Sequence, residues 1–206
     1  MNTITKILFL YLIFSPTLLC SKEKQLDLVY KLQWGNIFIG QAIANWKFRD
    51  QEFSMMGESS SSETLNYFFD FKSSVKIQGY KKNNKWLPKK IILSSQSKEG
   101  KKFTKVIWGN NFEILETTRI PDINDNKVYP LKRENIINSI DPWSAMLQSL
   151  DLINTRKTCQ SEYKIYDGRR TANLSFKDLG KKNLKPDRPW SYNGETQICG
   201  VISKST

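Results

Sequence analysis

The chain has 206 residues, of which 39% are hydrophobic and 25% are charged, so it is long enough for one domain with a sizeable core and does not have the composition of a disordered protein. Its formal charge of +12 favours binding to anionic partners. The alternative explanation is that lysines simply occupy many solvated surface positions. Histidine is absent, which excludes Ser-His-Asp and Cys-His catalysis and most zinc sites.

The N-terminus has the three-part layout of a secretory signal peptide. Lys6 precedes an apolar run from Ile7 to Phe14, which Pro16 interrupts. The run is well short of the roughly 20 residues that a membrane span needs, and no later stretch is long enough, so we expect no transmembrane segment. Residues 1–21 are predicted to be the signal peptide and residues 22–206 a single antiparallel β domain. We expect export to the periplasm, with a lipid anchor on Cys20 as the alternative, and no nucleic-acid partner.

Strand patterns dominate the first half of the mature chain. Apolar and polar residues alternate from Gln25 to Trp34, which is typical of a half-buried strand. A second strand is predicted from Ile37 to Trp46, and another from Tyr67 to Ile77. The four serines at Ser59–Ser62 are interpreted as a loop.

Hairpin turns are predicted at several points between these and later strands. Asp167-Gly168 has the strongest signal, because this dipeptide suits a two-residue type I′ turn, and Asn193-Gly194 repeats it near the C-terminus. Further turns are expected at Lys81–Lys85, Lys98–Gly100 and Gly109–Asn111.

One helix is predicted after a polar connection from Pro121 to Pro130. Asp141 is the expected N-cap, and Pro142 suits the first helical position. The apolar side chains at helical spacing are Trp143, Met146, Leu147 and Leu150, and the pattern ends near Asn154.

Two cysteines remain once Cys20 is removed with the signal peptide. In an oxidising compartment Cys159 and Cys199 are expected to form a disulfide that closes a loop of about 40 residues, with two separate thiols as the alternative. The spacing at Asp122 resembles a calcium loop, but Lys127 and Arg133 stand where Gly and Glu are needed. We therefore expect no metal site and no cofactor.

Several of these motifs, in this order, resemble an exported Gram-negative protein family, domain of unknown function thirty-one-oh-eight. The matching pieces are Leu28-x-Tyr30, Trp34-Gly35, Gly40-x-Ala42, Gly79, Leu87-Pro88, Asp141-Pro142-x-Ser144-Ala145, Ile165–Arg170 and Leu174-x-Phe176. The resemblance implies a strongly curved antiparallel sheet around a helix, similar to the half-barrels of periplasmic lipoprotein carriers. The family continues with further strands after the last Cys, so either this sheet is completed differently or the sequence is a truncated copy.

The predicted fold is mainly β: a curved antiparallel sheet, or half-barrel, with one helix covering the concave face. Such a sheet leaves room for a cavity. We therefore predict a non-enzymatic protein that binds or carries an apolar ligand, such as a lipid or a lipoprotein. The candidate lining residues are Trp34, Phe38, Trp86, Trp143 and Met146, with ordinary core packing as the alternative for each.

The alternative function is a structural or assembly module of the cell envelope that binds a protein or an acidic glycan. Arg169 and Arg170 lie beside a predicted tight turn and could pair with carboxylates or phosphates. A solvated hairpin edge explains the same two residues without a ligand.

Overall fold

The computed structural model describes residues 23–34, 36–66, 70–122, 131, 133–186 and 192–205, and the predicted signal peptide lies outside these ranges. Antiparallel strands form most of this part of the chain, which confirms the predicted mainly β class. The strands are β1 (Lys24–Trp34), β2 (Ile37–Arg49), β3 (Glu52–Ser61), β4 (Lys72–Lys82), β5 (Lys85–Ser97), β6 (Gly100–Trp108), β7 (Ile114–Ile120), β8 (Ser161–Tyr166), β9 (Thr171–Leu184) and β10 (Gly194–Ser205). The helices are α1 (Glu63–Asn66), α2 (Arg133–Ile136) and α3 (Pro142–Arg156).

The first seven strands form one open, curved sheet in which every strand pairs with its neighbour in sequence. Short turns make this order possible. At Asn83-Asn84, both residues have a positive φ, as the two central positions of a type I′ turn require. Strands β1 and β7 lie at the edges of this open half-barrel.

The face of this sheet that α3 covers, called the inner face below, contains the main core. Directly paired residues of neighbouring strands lie on the same face, so the register assigns every side chain to one side. One continuous buried cluster joins the inner face to the helix and to β8: Trp46, Phe53, Met55, Ile77, Ile91, Val106, Trp108, Leu147 and Tyr166.

Helix α3 lies between the two sheets, with contacts to β5 on one side and to β8 and β9 on the other. Small buried residues, Ser144, Ala145 and Ser149, let both sheets approach it closely. This packing explains why the predicted apolar face of the helix is only partly correct. Leu147 is buried, but Leu150 is 48% exposed because the buried arc is shared between two sheets.

The second sheet has three strands in the order β10-β9-β8. Cys159 and Cys199 form a disulfide, as predicted, which joins the segment before β8 to β10. In the described part of the chain, no helix has the length and apolar character needed to cross a bilayer.

Four turn and strand predictions need correction. Ser59–Ser61 belong to β3, because they pair with β2, and with β4 through Ser59 and Ser60. In the predicted strand Tyr67–Ile77, β4 begins at Lys72, so Asp70 and Phe71 precede it, and residues 67–69 lie outside the described residues. The connection at Asp167-Gly168 has four residues, Asp167 to Arg170, and Asn193-Gly194 lies at the start of β10, well after β9 ends at Leu184.

Candidate functional site

A cavity of about 550 Å³ lies between the inner face and α3. Its volume is within the range of small-molecule sites, about 300–1,000 Å³. The roof is formed by Trp143 and Met146 of α3. The residues of the sheet that line it come from β1 to β6, and they fall into three rows that run across the strands.

The deepest row is apolar across five strands: Trp46, Met55, Ile77, Ile91 and Val106. Within this row, Trp46 and Met55 line the cavity. The middle row is apolar but small on one side, where Ala44 and Gly57 are paired and continue into Val75, Leu93 and Thr104. Gly57 is closely packed by its neighbours, because a Cβ there would lie 2.8 Å from Val75 Cγ1.

The third row is polar. Ala42 is followed across the strands by Ser59, Ser73, Ser95 and Lys102. The hydroxyls of Ser59 and Ser73 lie 2.7 Å apart and share a hydrogen bond. Successive rows are two residues apart along each strand, about 7 Å, so the wall changes from aromatic to hydroxyl and ammonium over about 13 Å.

The apolar end of the inner face is closed beyond the deepest row. Trp86 packs edge-on against Phe48 and Phe53, with ring centroids 5.8 and 5.5 Å apart. Lys81 lies 4.9 Å above the Trp86 ring and forms a 3.1 Å ion pair with Asp151 of α3. The helix is thereby tied to the sheet at this end. At the serine row the Lys102 side chain is half exposed, so the cavity opens to solvent there.

The turn between β8 and β9 forms one side wall. Gly168 packs so closely on β6 that a Cβ there would lie 2.2 Å from Thr104 Cγ2. Arg119 of β7 donates to the carbonyl oxygen of Gly168 at 2.5 Å and to the hydroxyl of Tyr166 at 2.6 Å. Arg169 donates from Nε to Thr104 Oγ1 at 2.7 Å, and from Nη2 to backbone carbonyls of the β6–β7 side.

The start of the roof helix is fixed by Asp141, which is fully buried and accepts hydrogen bonds from Trp143 N, Ser144 N and the Ser144 hydroxyl. This is the predicted N-cap. Burial raises the pKa of the Asp141 carboxyl above its usual range, and the hydrogen bonds from Ser144 oppose this effect.

The five residues predicted to line an apolar site are distributed over different parts of the fold. Trp143 and Met146 line the cavity. Trp86 packs with the aromatic rings at the closed end, and Phe38 is exposed near the β1–β2 turn. Trp34 ends β1, and its side chain lies outside the described residues.

The two arginines predicted to bind an anion also lie in different environments. Arg169 lines the cavity, but the acceptors of its Nε and Nη2 hydrogen bonds are neutral oxygens of the protein. Arg170 is exposed, and its backbone N–H donates to Asp167. Among the charged residues, sequence reasoning missed Lys102, and it also missed the serine row. The alternation of small residues at Gly40, Ala42 and Ala44 was the available signal for a face with free space.

The comparisons with known proteins give no relative: no protein-family model, no curated protein and no solved structure matches the chain.

Proposed function

We propose that the protein binds an apolar ligand, such as a lipid chain, in the cavity between the inner face and α3, and that it acts in the bacterial periplasm as a carrier without catalytic activity. The observation that carries the proposal is the uncovered apolar surface inside this cavity. The half-buried side chains that line it include Ala44, Val75, Leu93, Trp143 and Met146. Apolar surface costs about 25 cal/mol per Å² in water, which favours an apolar occupant.

The geometry of the roof supports the same proposal. Helix α3 packs on β5 and the second sheet, while β1 lies at the far edge of the large sheet. Inner-face side chains of β1, including Leu26, Tyr30 and Leu32, are therefore exposed. Tyr30 is also part of the cavity lining, so the cavity continues toward this edge. The disulfide suits the oxidising compartment that the proposal requires.

Filling the cavity tests the proposal. Ala44→Trp adds an indole to the middle row, where Ala44 lines the cavity. We expect an environment-sensitive apolar dye to bind the purified protein and a long-chain lipid to displace it. The substitution should weaken dye binding at least tenfold, measured by fluorescence titration.

Met56→Trp is the matched control, because Met56 follows Met55 in β3, its exposed side chain points to the outer face, and it does not line the cavity. It should leave dye binding unchanged. Ala42→Phe, closer to the open end, provides a second filled cavity if Ala44→Trp prevents folding. Equal dye binding by all four proteins would contradict the carrier function.

An assembly module of the envelope is the second candidate, and the edge strand β1 favours it. This strand is 11 residues long and pairs with β2, and its other edge has no partner strand in the described part of the chain. Val29 on its outer face is 68% exposed. Strand addition to such an edge is a common mode of protein recognition. Absence of dye and lipid binding, together with a defined complex through β1, would favour this function over the carrier.

A further inference from the structure

We infer that the ligand is an anionic amphiphile, with its chain in the apolar end of the cavity and its acidic head at the serine row. This inference rests on the proposed function and specifies the ligand class for the same site. The cavity wall changes from apolar to polar toward its open end. The deepest and middle rows offer aromatic and aliphatic side chains, whereas Ser59, Ser73, Ser95 and Lys102 form the row at the open end.

An amphiphile fits this wall in one orientation. An apolar chain loses contact with water along the two inner rows, a length of about 7–13 Å, and ends where hydroxyl groups begin. The reverse orientation would bury a charged head against Trp46 and Met55, where desolvation of a charge is costly. The closed end at Trp86, tied by Lys81 and Asp151, also leaves no room for a head group there.

The sign of the head follows from the charged residues at the open end. Lys102 points to the inner face beside Ser95, and its side chain is 50% exposed. Arg169 lines the cavity, and Arg119 lies beside it as the β7 partner of Thr104; both are fixed by hydrogen bonds to neutral oxygens. These guanidinium groups are positioned before any ligand binds and add positive potential to the wall.

Three acidic residues described near this wall, Glu58, Asp167 and Glu99, offer it little negative charge. Glu58 contributes to the lining, but its pairing with Ile43 and Ser74 places its side chain on the outer face. Asp167 accepts hydrogen bonds from the backbone N–H groups of Arg169 and Arg170. Glu99 lies 3.7 Å from Lys102, and its side chain is 82% exposed, so this pair is weak.

The test compares three ligands with the same long alkyl chain: a fatty carboxylate, an alkyl phosphate and the neutral alcohol. Each displaces the apolar dye from the purified protein below its critical micelle concentration. We expect both acids to bind about fivefold more tightly than the alcohol at low salt, with the difference shrinking at high ionic strength. Preference for only one acid would identify the head as carboxylate or phosphate.

Lys102→Glu should abolish the preference for the acids while the alcohol binds as before. Lys101→Glu is the matched control, because it makes the same change of charge on the adjacent residue, which points to the outer face of β6. Binding of the alcohol and the acids with equal affinity to the unmodified protein would overturn the head-group assignment and leave the carrier function intact. Failure of all three ligands to displace the dye would count against the carrier function itself. If Lys102→Glu and Lys101→Glu weaken the preference for the acids equally, that preference depends on net charge alone, and the assignment of the head group to Lys102 is wrong.

Discussion

At the scale of single residues, Asp141 combines a favourable and an unfavourable role at the start of α3. Its carboxylate satisfies two backbone N–H groups of the first helical turn and the buried hydroxyl of Ser144. Full burial of the same carboxylate raises its pKa, since the charged form loses its hydration. The cap therefore stabilises the roof helix at a cost that depends on pH.

Asp141→Ala should destabilise the protein by about 2 kcal/mol, measured as the free energy of unfolding in urea. A lost cap costs about 1 kcal/mol, and a buried hydroxyl without its acceptor adds a similar amount. Asp141→Asn keeps one oxygen acceptor for the helix and should cost less. An unchanged unfolding free energy in the Ala variant would show that Asp141 does not cap α3.

The pH dependence follows from the direction of the pKa shift. The folded state holds the proton of Asp141 more tightly than the unfolded state does, so protonation favours folding. This contribution is complete below the unfolded pKa of Asp and is lost as the pH rises through the folded pKa. The stability of the unmodified protein relative to Asp141→Asn should therefore fall over that interval, and a constant difference would contradict the shift.

The residue scale also separates what the sequence could predict from what it could not. The cap at Asp141 with Pro142 was predictable, because both preferences depend on a few adjacent residues. The position of Lys102 beside Ser95 was not, because it depends on the register of β5 and β6. A shift of one residue in that register would move Lys102 to the outer face.

At the scale of elements, alternation identified β1 and β2 correctly, and turn residues located most of the hairpins. The prediction of a loop at the serine run was wrong, because these serines form a strand through pairing with β2 and β4 and not through an intrinsic preference for strand structure. The hairpin at Asp167-Gly168 was located correctly, but its connection has four residues rather than two. Asp167 holds the four-residue connection by accepting the N–H groups of Arg169 and Arg170.

The disulfide should stabilise the second sheet. Replacing Cys159 and Cys199 by Ser removes a cross-link between residues 40 apart in sequence. The chain-entropy model predicts a loss of about 3–4 kcal/mol in the free energy of unfolding. Hydrogen exchange should locate the earliest loss of protection in β10, while β1 to β7 remain protected. Unchanged protection of β10 in the double variant would contradict this assignment.

At the scale of the whole molecule, the contact of the β8–β9 turn with β6 and β7 joins the two sheets. Gly168 has a φ of +92° and lies against Thr104 and Val106. Gly168→Ala should therefore combine backbone strain, about 1–2 kcal/mol, with a steric clash at the cavity wall. We expect a loss of more than 2 kcal/mol in unfolding free energy and weaker dye binding.

Gly180→Ala is the control that measures the backbone strain without the steric clash. Gly180 has a comparable φ of +82°, but no atom lies within 4 Å of the position that its Cβ would occupy. This variant should lose only the strain energy and should keep dye binding. Equal losses in the two variants would mean that the turn does not hold the sheets together.

The sequential order of β1 to β7 has a consequence for how the molecule folds. Each of these strands pairs with the one before it, so the large sheet forms through contacts that are short in sequence and need little loop closure. Residues up to Ile120 complete it, whereas α3 and Cys199 come later in the chain. A chain that emerges N-terminus first can therefore build the inner face before its roof exists. Until residues 142–156 arrive, that apolar face is open, and this interval is when a chaperone, or the apolar ligand that we propose, has the widest access to it.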